Sequence, residues 1–463
     1  MKISEKSLFI TFLGIGQFII LVAVFLFSES VTYIEMSFSS IIIAILDIIM
    51  LRMVCKIPII SIPNLFSLFS LFFHMGQIIK EAFHIDGTVP LPFENYAGID
   101  SIQAAFWFYL FSQTIFLLAV GITCTLPISK HRHESIFAKV LDKDAAFIAK
   151  ILIIIGAFPH IYIDLMALMG AVSMGYEGAY SLYFPQPVRS LAFFFDAGLI
   201  ILLFGWSHYS KVKWLFIFVI IYKCLMMSSG GRQQNVTFLL IWFYAYFFII
   251  QKLTIKKYIL LGAMCSLGFF FISAIGTLRT TGAFDLTDIL TLLFSGEMSH
   301  TLGNALGEFG SAFDTLEVAV QYVPDTINYG YGRTYIAGLI SIIPLIVKQI
   351  PFLAETTIFL HQLPQSIVFA FGGSYLGELY YNFSWFGVLG SFVLGVVLGK
   401  IHNRITGRDY DTLLQKSWAA VLAISMFLFV RGYFTDMVQQ LAWTYFAIYL
   451  ISAYIKRKRD RYD

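Results

Sequence analysis

Long apolar runs recur from one end of the chain to the other, and they restrict the fold more than any other feature. The runs are about 17 to 25 residues long, which is the length that a helix needs to cross the hydrocarbon core of a bilayer. Of the 463 residues, 58% are hydrophobic and only 13% are charged. This composition excludes a water-soluble domain, and the sequence predicts an all-α polytopic integral membrane protein.

Twelve membrane-spanning helices are predicted from these runs. The first apolar run, Leu8 to Phe27, is too long for a cleaved signal peptide, so it is interpreted as an uncleaved span. The predicted spans cover residues 7–27, 34–54, 62–79, 103–126, 146–169, 190–206, 213–228, 236–251, 258–276, 382–400, 414–430 and 438–455.

Basic residues indicate how these spans are oriented. With both termini in the cytoplasm, 23 of the 31 Lys and Arg residues face the cytoplasm, 7 face outward, and Lys223 lies inside a span. The inverted orientation would break the positive-inside rule. Topology does not require arginine outside, so the outward cations indicate an anionic ligand, most simply a phosphate. The outward cations are Lys80, Arg189, Arg232, Arg279, Arg333, Lys348 and Arg431.

The largest segment between spans, residues 277–381, is predicted on the outer face, between the helices of residues 1–276 and those of residues 382–463. An apolar stripe within it predicts one amphipathic helix that ends at Pro324, with Asp314 and Glu317 off the stripe. The stripe consists of Leu302, Leu306, Phe309, Phe313, Leu316 and Val320.

The apolar stretch 335–347 in the same segment is too short to span, and Pro344 interrupts it, so it is predicted to be re-entrant or interfacial. Long ordered loops of this kind are often functional. A structural cap over the helices is the alternative.

Four outward arginines lie in glycine-bearing turns or at outer helix ends: Arg232, Arg279, Arg333 and Arg431. Glycine lets a backbone approach a ligand closely, and arginine offers a fork of donors to phosphate oxygens. The alternative for each arginine is a turn or helix end whose side chain reaches lipid headgroups.

Glu378, near the outer edge of a predicted helix, is costly there unless it has a partner or a role. It could accept a proton from a sugar hydroxyl as a general base, or it could form a salt bridge with one of the arginines. His300 and His361, in the long outward segment, are the second candidates for the base. No spacing of histidines and carboxylates indicates a metal site.

Several segments, taken in order, resemble the Wzy-type O-antigen and capsule polymerases, also called oligosaccharide repeat-unit polymerases. The stretch Glu378–Phe383 followed by Phe386 and Gly387 is the most specific, although Ser384 stands where a glycine is common. The segments are Gly230–Arg232, Arg279, the large outward loop with Gly332–Tyr335 and Leu339–Pro344, Gly377–Gly387, and Arg431–Gly432.

The resemblance implies a GT-C-like glycosyltransferase at the outer face of a bacterial inner membrane. Its donor would be a growing glycan on undecaprenyl diphosphate, and its acceptor would be one repeat unit on the same lipid carrier. No metal or cofactor is expected, so protein cations must neutralise the leaving diphosphate. A chain-length regulator and a flippase are the expected protein partners, and a net charge of +3 gives no reason to expect nucleic acid.

The resemblance also assigns roles. Glu378 is expected to act as the base, Arg232, Arg279 and Arg431 to hold the diphosphate with Arg333 as a further ligand, and Tyr335 and Tyr380 to contact the substrate.

Three other classes of protein remain open from the sequence. A lipid-linked oligosaccharide flippase would use similar arginines, but transporters often carry internal repeats and charges near the midplane, and no clear repeat is present here. An O-antigen ligase would share the architecture and the donor. A sensory or structural membrane protein would need no catalytic residue.

Overall fold

The computed structural model describes residues 5–28, 30–86, 97–126, 137, 142–180, 184–207, 210–227, 232–250, 298–343, 346–350, 358–363, 371–407 and 412–461. These residues form helices joined by turns, and no strand occurs among them. Eight helical segments in this part of the chain are long and apolar enough to cross a membrane. The prediction of an all-α polytopic membrane protein is therefore confirmed, and the number of twelve spans stays a prediction.

The first four helices all coincide with predicted spans: α1 (Glu5–Phe27), α2 (Tyr33–Val54), α3 (Ile62–Ala82) and α4 (Ile99–Thr125). Glycines let α1 approach α4 closely, because they carry no Cβ atom. A Cβ atom added to Gly14 would lie only 2.6 Å from Cδ1 of Leu118, and one added to Gly121 would lie only 2.5 Å from Cδ1 of Ile10. Close approach at small residues is the usual packing mode of membrane helices, where lipid removes much of the hydrophobic driving force.

The next helices are α5 (Asp142–Tyr180), α6 (Gln186–Gly205), α7 (Lys211–Met226) and α8 (Arg232–Tyr244), which continues as a π-helical turn (Ala245–Ile250). A Cβ atom on Gly156 of α5 would lie 2.3 Å from the backbone nitrogen of Phe195 on α6. Gly198 of α6 approaches the backbone of α5 in the same way. At 16 residues, α7 is shorter than the segments that qualify by length as spans. The predicted span 258–276 lies outside the described residues.

The long segment that is predicted between spans contains α9 (Met298–Gly310), α10 (Ala312–Tyr322), α11 (Arg333–Ile340), α12 (Ile346–Gln349) and a 3-10 turn (Phe359–Gln362). The prediction of one continuous amphipathic helix here was wrong, because the helix breaks at Ser311. At the break, Gly310 packs against the backbone of α3, where a Cβ atom would lie 2.4 Å from the nitrogen of Gln77.

The polar residues of α10 also differ from the prediction. The stripe residues Phe313 and Leu316 are buried, as expected, but Asp314 and Glu317 are buried too. The helix therefore buries both its apolar and its acidic side chains. The apolar pattern missed this because it assumes that only one side of the helix is covered.

The last helices are α13 (Tyr375–Phe383), a 3-10 turn (Ser384–Gly387), α14 (Val388–Thr406), α15 (Leu413–Phe429) and α16 (Phe434–Arg459). Helix α13, the turn and α14 together form one candidate span, Tyr375–Thr406. This span begins seven residues before the predicted one, so it includes Glu378. Ser384 has a φ of 51°, a left-handed conformation that glycine adopts with less strain.

By contacts, the chain divides into two compact units. The first unit comprises Met1–Ser129, Gly303–Asn403 and Phe429–Val438. The second comprises Lys130–Leu302, Arg404–Leu428 and Gln439–Asp463. Glu378 and Arg431 belong to the first unit, and Lys223 belongs to the second.

Candidate active site around Glu378

The amino-terminal end of α13 is fixed by hydrogen bonds before Glu378 is reached. Ser374 caps the helix, since its Oγ accepts a hydrogen bond from the backbone nitrogen of Gly377 at 3.2 Å. The same Oγ lies 3.0 Å from Nε2 of His74 on α3, and Nδ1 of His74 lies 3.0 Å from the carbonyl oxygen of Ser70. Because a carbonyl only accepts, Nδ1 carries the proton and Nε2 accepts from Ser374. The first turn of α13, which contains Glu378, is thus anchored to α3.

The Glu378 carboxylate is buried and is held by neutral donors. Its Oε2 accepts a hydrogen bond from the backbone nitrogen of Phe434 at 3.0 Å, and the Thr334 hydroxyl also contacts the carboxylate. Its Oε1 has no hydrogen-bond partner among the described residues. Glu378 forms no ion pair within that part of the chain. The arrangement leaves one carboxylate oxygen available to a substrate proton.

Arg431 lies beside the glycines that precede α13. A Cβ atom on Gly372 would lie 2.9 Å from Nε and 3.1 Å from Cγ of Arg431, so the arginine side chain rests on the glycine backbone. A Cβ atom on Gly373 would lie 2.4 Å from the backbone carbon of Gly432. Gly373 therefore packs against the backbone of Gly432, and Gly372 packs against the Arg431 side chain, which explains why these positions contain glycine.

Asp314 of α10 contributes a buried carboxylate near Arg431. Its Oδ2 accepts a hydrogen bond from Nε2 of Gln77 at 3.2 Å, and its Oδ1 has no partner among the described residues. Burial raises the pKa of Asp314 to about 8, while the Gln77 hydrogen bond and the positive charge of Arg431 act in the opposite direction. Burial therefore favours the protonated form of this group.

The segment Arg333–Tyr335 reaches the same part of the first unit. The ring of Tyr335 packs edge-on against Phe434, with centroids 4.8 Å apart, and Gly338 of α11 also packs against Phe434. Burial raises the pKa of Tyr335 well above its usual value, and the Glu378 charge adds to that effect. Arg333 is half-buried, and its charge acts on the phenol of Tyr381, which follows Glu378 by three residues on α13.

The aromatic residues near this segment differ in exposure. Tyr380, predicted to contact substrate, is 6% exposed and packs edge-on against Phe108. Tyr331 is 72% exposed, in a left-handed turn with a φ of 47° that Gly332 continues. Of these tyrosines, Tyr331 is therefore the one whose ring is open to solvent.

No contact between Glu378 and the other predicted site residues is seen among the described residues. Arg279 lies outside the described residues, as do the side chains of Arg232 and His300. The backbone of Arg232 begins α8 in the second unit. His361 lies exposed in the 3-10 turn Phe359–Gln362, whose Gln362 donates a hydrogen bond to the hydroxyl of Tyr381.

Four contributors were missed by the sequence analysis: Thr334, Asn382, Asp314 and the backbone N–H of Phe434. A signal existed for Asn382, because Glu378 and Asn382 are four residues apart and share one face of a helix. The pairing of Phe434 with Glu378 joins residues 56 positions apart, and no local pattern predicts it.

No group of three or more His, Cys, Asp or Glu side chains among the described residues is placed to hold a metal ion. The arrangement around Glu378 offers a buried carboxylate and two neutral donors, and Arg431 lies against Gly372, six residues before Glu378.

A comparison with known protein families finds one match that covers nearly the whole chain. The family model described as O-antigen polysaccharide polymerase Wzy matches residues 8–459. No curated protein and no solved structure matches the chain.

Proposed function

This chain belongs to the O-antigen polysaccharide polymerase Wzy family, multi-pass membrane enzymes that polymerise lipid-linked repeat units, and we propose that Glu378 and Arg431 form the centre of its active site. The supporting observation is convergence. The family-like segments Gly372–Asn382, Arg431–Phe434 and Thr334–Tyr335 are far apart in sequence, and they meet around one carboxylate.

The proposed reaction is a glycosyl transfer. A hydroxyl of the acceptor repeat unit attacks the anomeric carbon of the donor glycan, which forms the new glycosidic bond. The bond from that carbon to the diphosphate oxygen breaks, and the polyprenyl diphosphate leaves with the bonding electrons. Glu378 takes the proton of the attacking hydroxyl on the oxygen that neither Phe434 nor another described residue occupies.

Arg431 is proposed to stabilise the leaving diphosphate. A guanidinium offers several donors in a planar fork, which suits the charge that develops on phosphate oxygens. Its stem is held against Gly372, so the head is positioned with little freedom to lose on binding. Arg333 is the second proposed ligand in the first unit. Arg232 and Arg279 stay predicted diphosphate ligands from their sequence context.

The lipid carrier, the direction of transfer, the membrane face, the topology and the protein partners are also part of the proposal. The carrier is undecaprenyl diphosphate, the growing chain is transferred onto a new repeat unit, and the reaction occurs at the outer face of the inner membrane. Both termini are cytoplasmic, the architecture is GT-C-like, and a chain-length regulator and a flippase act with the enzyme. The distribution of Lys and Arg supports the orientation, with 23 residues on the inner side and 7 on the outer side.

Deletion of the gene, read on a gel of surface glycans, tests the function. A polymerase deletion leaves a single repeat unit on the surface, and the wild-type gene restores the ladder. Loss of all surface glycan, with intermediates held inside, would identify a flippase instead. Long polymer that stays on its lipid carrier would identify a ligase.

A further inference from the structure

A directed chain of hydrogen bonds ends at Glu378. Asn382 Nδ2 lies 2.8 Å from the backbone carbonyl oxygen of Glu378 and 2.8 Å from Oγ1 of Thr334. A carbonyl oxygen can only accept, so the amide atom facing it must be the nitrogen, and this fixes the orientation of the Asn382 side chain. The second hydrogen of that nitrogen is then donated to Thr334.

The hydroxyl of Thr334 therefore receives a hydrogen bond from Asn382 and keeps its own hydrogen for another acceptor. The acceptor it contacts is the Glu378 carboxylate. Asn382, Thr334 and Glu378 are all buried, at 0%, 1% and 1% exposure, so water does not compete for these bonds. The direction of donation runs from Asn382 through Thr334 to Glu378.

We propose that Asn382 and Thr334 are positioning residues for catalysis, which orient the Glu378 carboxylate so that Oε1 is the oxygen that takes the proton. The backbone nitrogen of Phe434 occupies Oε2, and the Thr334 hydroxyl limits rotation of the carboxylate. A base must lie within hydrogen-bond reach of its proton, and small misplacements are expensive. The inference rests on the proposed role of Glu378 and extends it to two residues that do not touch substrate.

The test compares purified full-length variants in lipid vesicles, with a polyprenyl-diphosphate-linked repeat unit as substrate. Thr334→Val keeps the shape and removes the hydroxyl, so kcat is expected to fall about 10- to 100-fold with KM nearly unchanged. Thr334→Ser should restore kcat to within about threefold of wild type, since it returns the hydroxyl. Asn382→Leu provides a second break in the same chain and should also lower kcat rather than raise KM.

Coupling to Glu378 separates positioning from a structural role. In a Glu378→Gln background, Thr334→Val should cost less than about threefold more, because there is no base left to orient. Thr123→Val is the matched control. Thr123 is also buried, but its hydroxyl donates to the carbonyl of Ala119 on its own helix, so kcat should not change.

The outcomes distinguish this inference from the proposed function. If Glu378→Gln keeps full activity, the base role is wrong, and positioning by Thr334 and Asn382 is overturned with it. If Glu378→Gln is inactive but folded Thr334→Val and Asn382→Leu keep wild-type kcat, only the positioning inference is overturned. An equal loss from Thr334→Val in both backgrounds would likewise overturn it. Should Thr334→Val fail to fold, Asn382→Leu and the serine variant decide the result.

Discussion

Two clusters that contain acidic side chains, one in each unit, differ in how the acidic charge is compensated. In the second unit, Nζ of Lys223 lies 2.6 Å from Oδ1 of Asp196 and 3.3 Å from Nε2 of His160. The hydroxyl of Tyr222 donates to Oδ2 of Asp164 at 2.5 Å. In the first unit, Glu378 has only a backbone N–H and a hydroxyl as donors among the described residues.

The difference indicates which cluster is structural and which is chemical. A carboxylate within a membrane-spanning segment is costly, and an ammonium at contact distance is the most direct compensation. Lys223 supplies that compensation, and the ring of Phe238 covers it at 4.7 Å from the ring centroid. Glu378 lacks such a cation within the described residues and keeps one oxygen without a partner. We therefore expect the Lys223 cluster to determine stability and the Glu378 cluster to determine rate.

Removal of Arg431 should have one of the two largest effects on activity, together with the loss of the Glu378 carboxylate. Arg431→Ala is expected to lower polymerisation at least about 100-fold, because the proposed principal donor to the leaving diphosphate is lost. Arg431→Lys should remain strongly impaired, since an ammonium does not reproduce the guanidinium fork. The measurement is polymer formed per folded molecule.

Lys80→Ala is the control for the Arg431 variants. Lys80 is predicted on the same face, and its Nζ lies 3.2 Å from Oε1 of Glu81, whose side chain is 41% exposed, so the loss of Lys80 should change little. A normal glycan ladder from Arg431→Ala would contradict the diphosphate role.

Removal of Lys223 should destabilise the protein without a comparable effect on chemistry. Lys223→Met leaves the partly buried Asp196 carboxylate without its cation, at a cost of up to about 3–5 kcal/mol. The folded yield and the thermal midpoint should fall, while activity per folded molecule stays within about threefold of wild type. The double variant Lys223→Met with Asp196→Leu should recover much of the loss, because neither charge remains. A stable but inactive Lys223→Met protein would contradict the expectation that the Lys223 cluster determines stability and not rate.

A methyl group at each of the two glycines beside Arg431 should separate positioning from folding. Gly372→Ala places a Cβ 2.9 Å from Arg431 Nε, a flexible side chain that can move aside, so activity should fall about tenfold with little loss of stability. Gly373→Ala places a Cβ 2.4 Å from the backbone of Gly432, which cannot move easily, so stability should fall. Equal thermal midpoints for the two variants would show that the glycines are not packed as described.

The smallest expected effect concerns Asp314 and the pH dependence of stability. Its pKa in the folded protein, about 8, lies above the ordinary value of 3.8. The folded protein thus binds this proton more tightly than the unfolded chain does. The contribution of this proton to the free energy of unfolding is therefore complete below about pH 4 and is lost as the pH rises through about 8.

Asp314→Asn mimics the protonated group. It should raise the thermal midpoint relative to wild type by a few degrees at pH 9 and should change it little at pH 5. A difference between Asp314→Asn and wild type that does not grow with pH would exclude a buried proton at Asp314.

The sequence was sufficient for the fold class, and it selected Glu378 and Arg431, on which the proposed site is centred. Apolar runs identify membrane helices because the bilayer requires a fixed length of apolar helix, and α1 to α4 lie where they were predicted. The sequence pointed to Glu378 and Arg431 because each is costly or unnecessary at the predicted outer face unless it has a role. The segment that contains Arg431 is brought to the start of the Glu378 helix by tertiary packing against Gly372 and Gly373. No local sequence pattern encodes this packing.

Residues in α10 show why the remainder could not be predicted. Asp314 and Glu317 fall off the apolar stripe of α10, and an isolated amphipathic helix would expose them. In the folded chain they are buried, because Gln77 supplies a donor to Asp314 and Gly310 lets α3 approach closely. A hydropathy pattern does not record such a specific partner.

The polymerisation rate of the Glu378→Gln variant is the most direct test of the difference between the Glu378 and Lys223 clusters. Glutamine keeps an oxygen that can accept the Phe434 N–H hydrogen bond, so the thermal midpoint should stay within a few degrees of wild type. It cannot act as a base at neutral pH, so polymer formed per folded molecule should fall at least about 100-fold. A folded Glu378→Gln protein that polymerises within about twofold of the wild-type rate would contradict the assignment of Glu378 as the catalytic base.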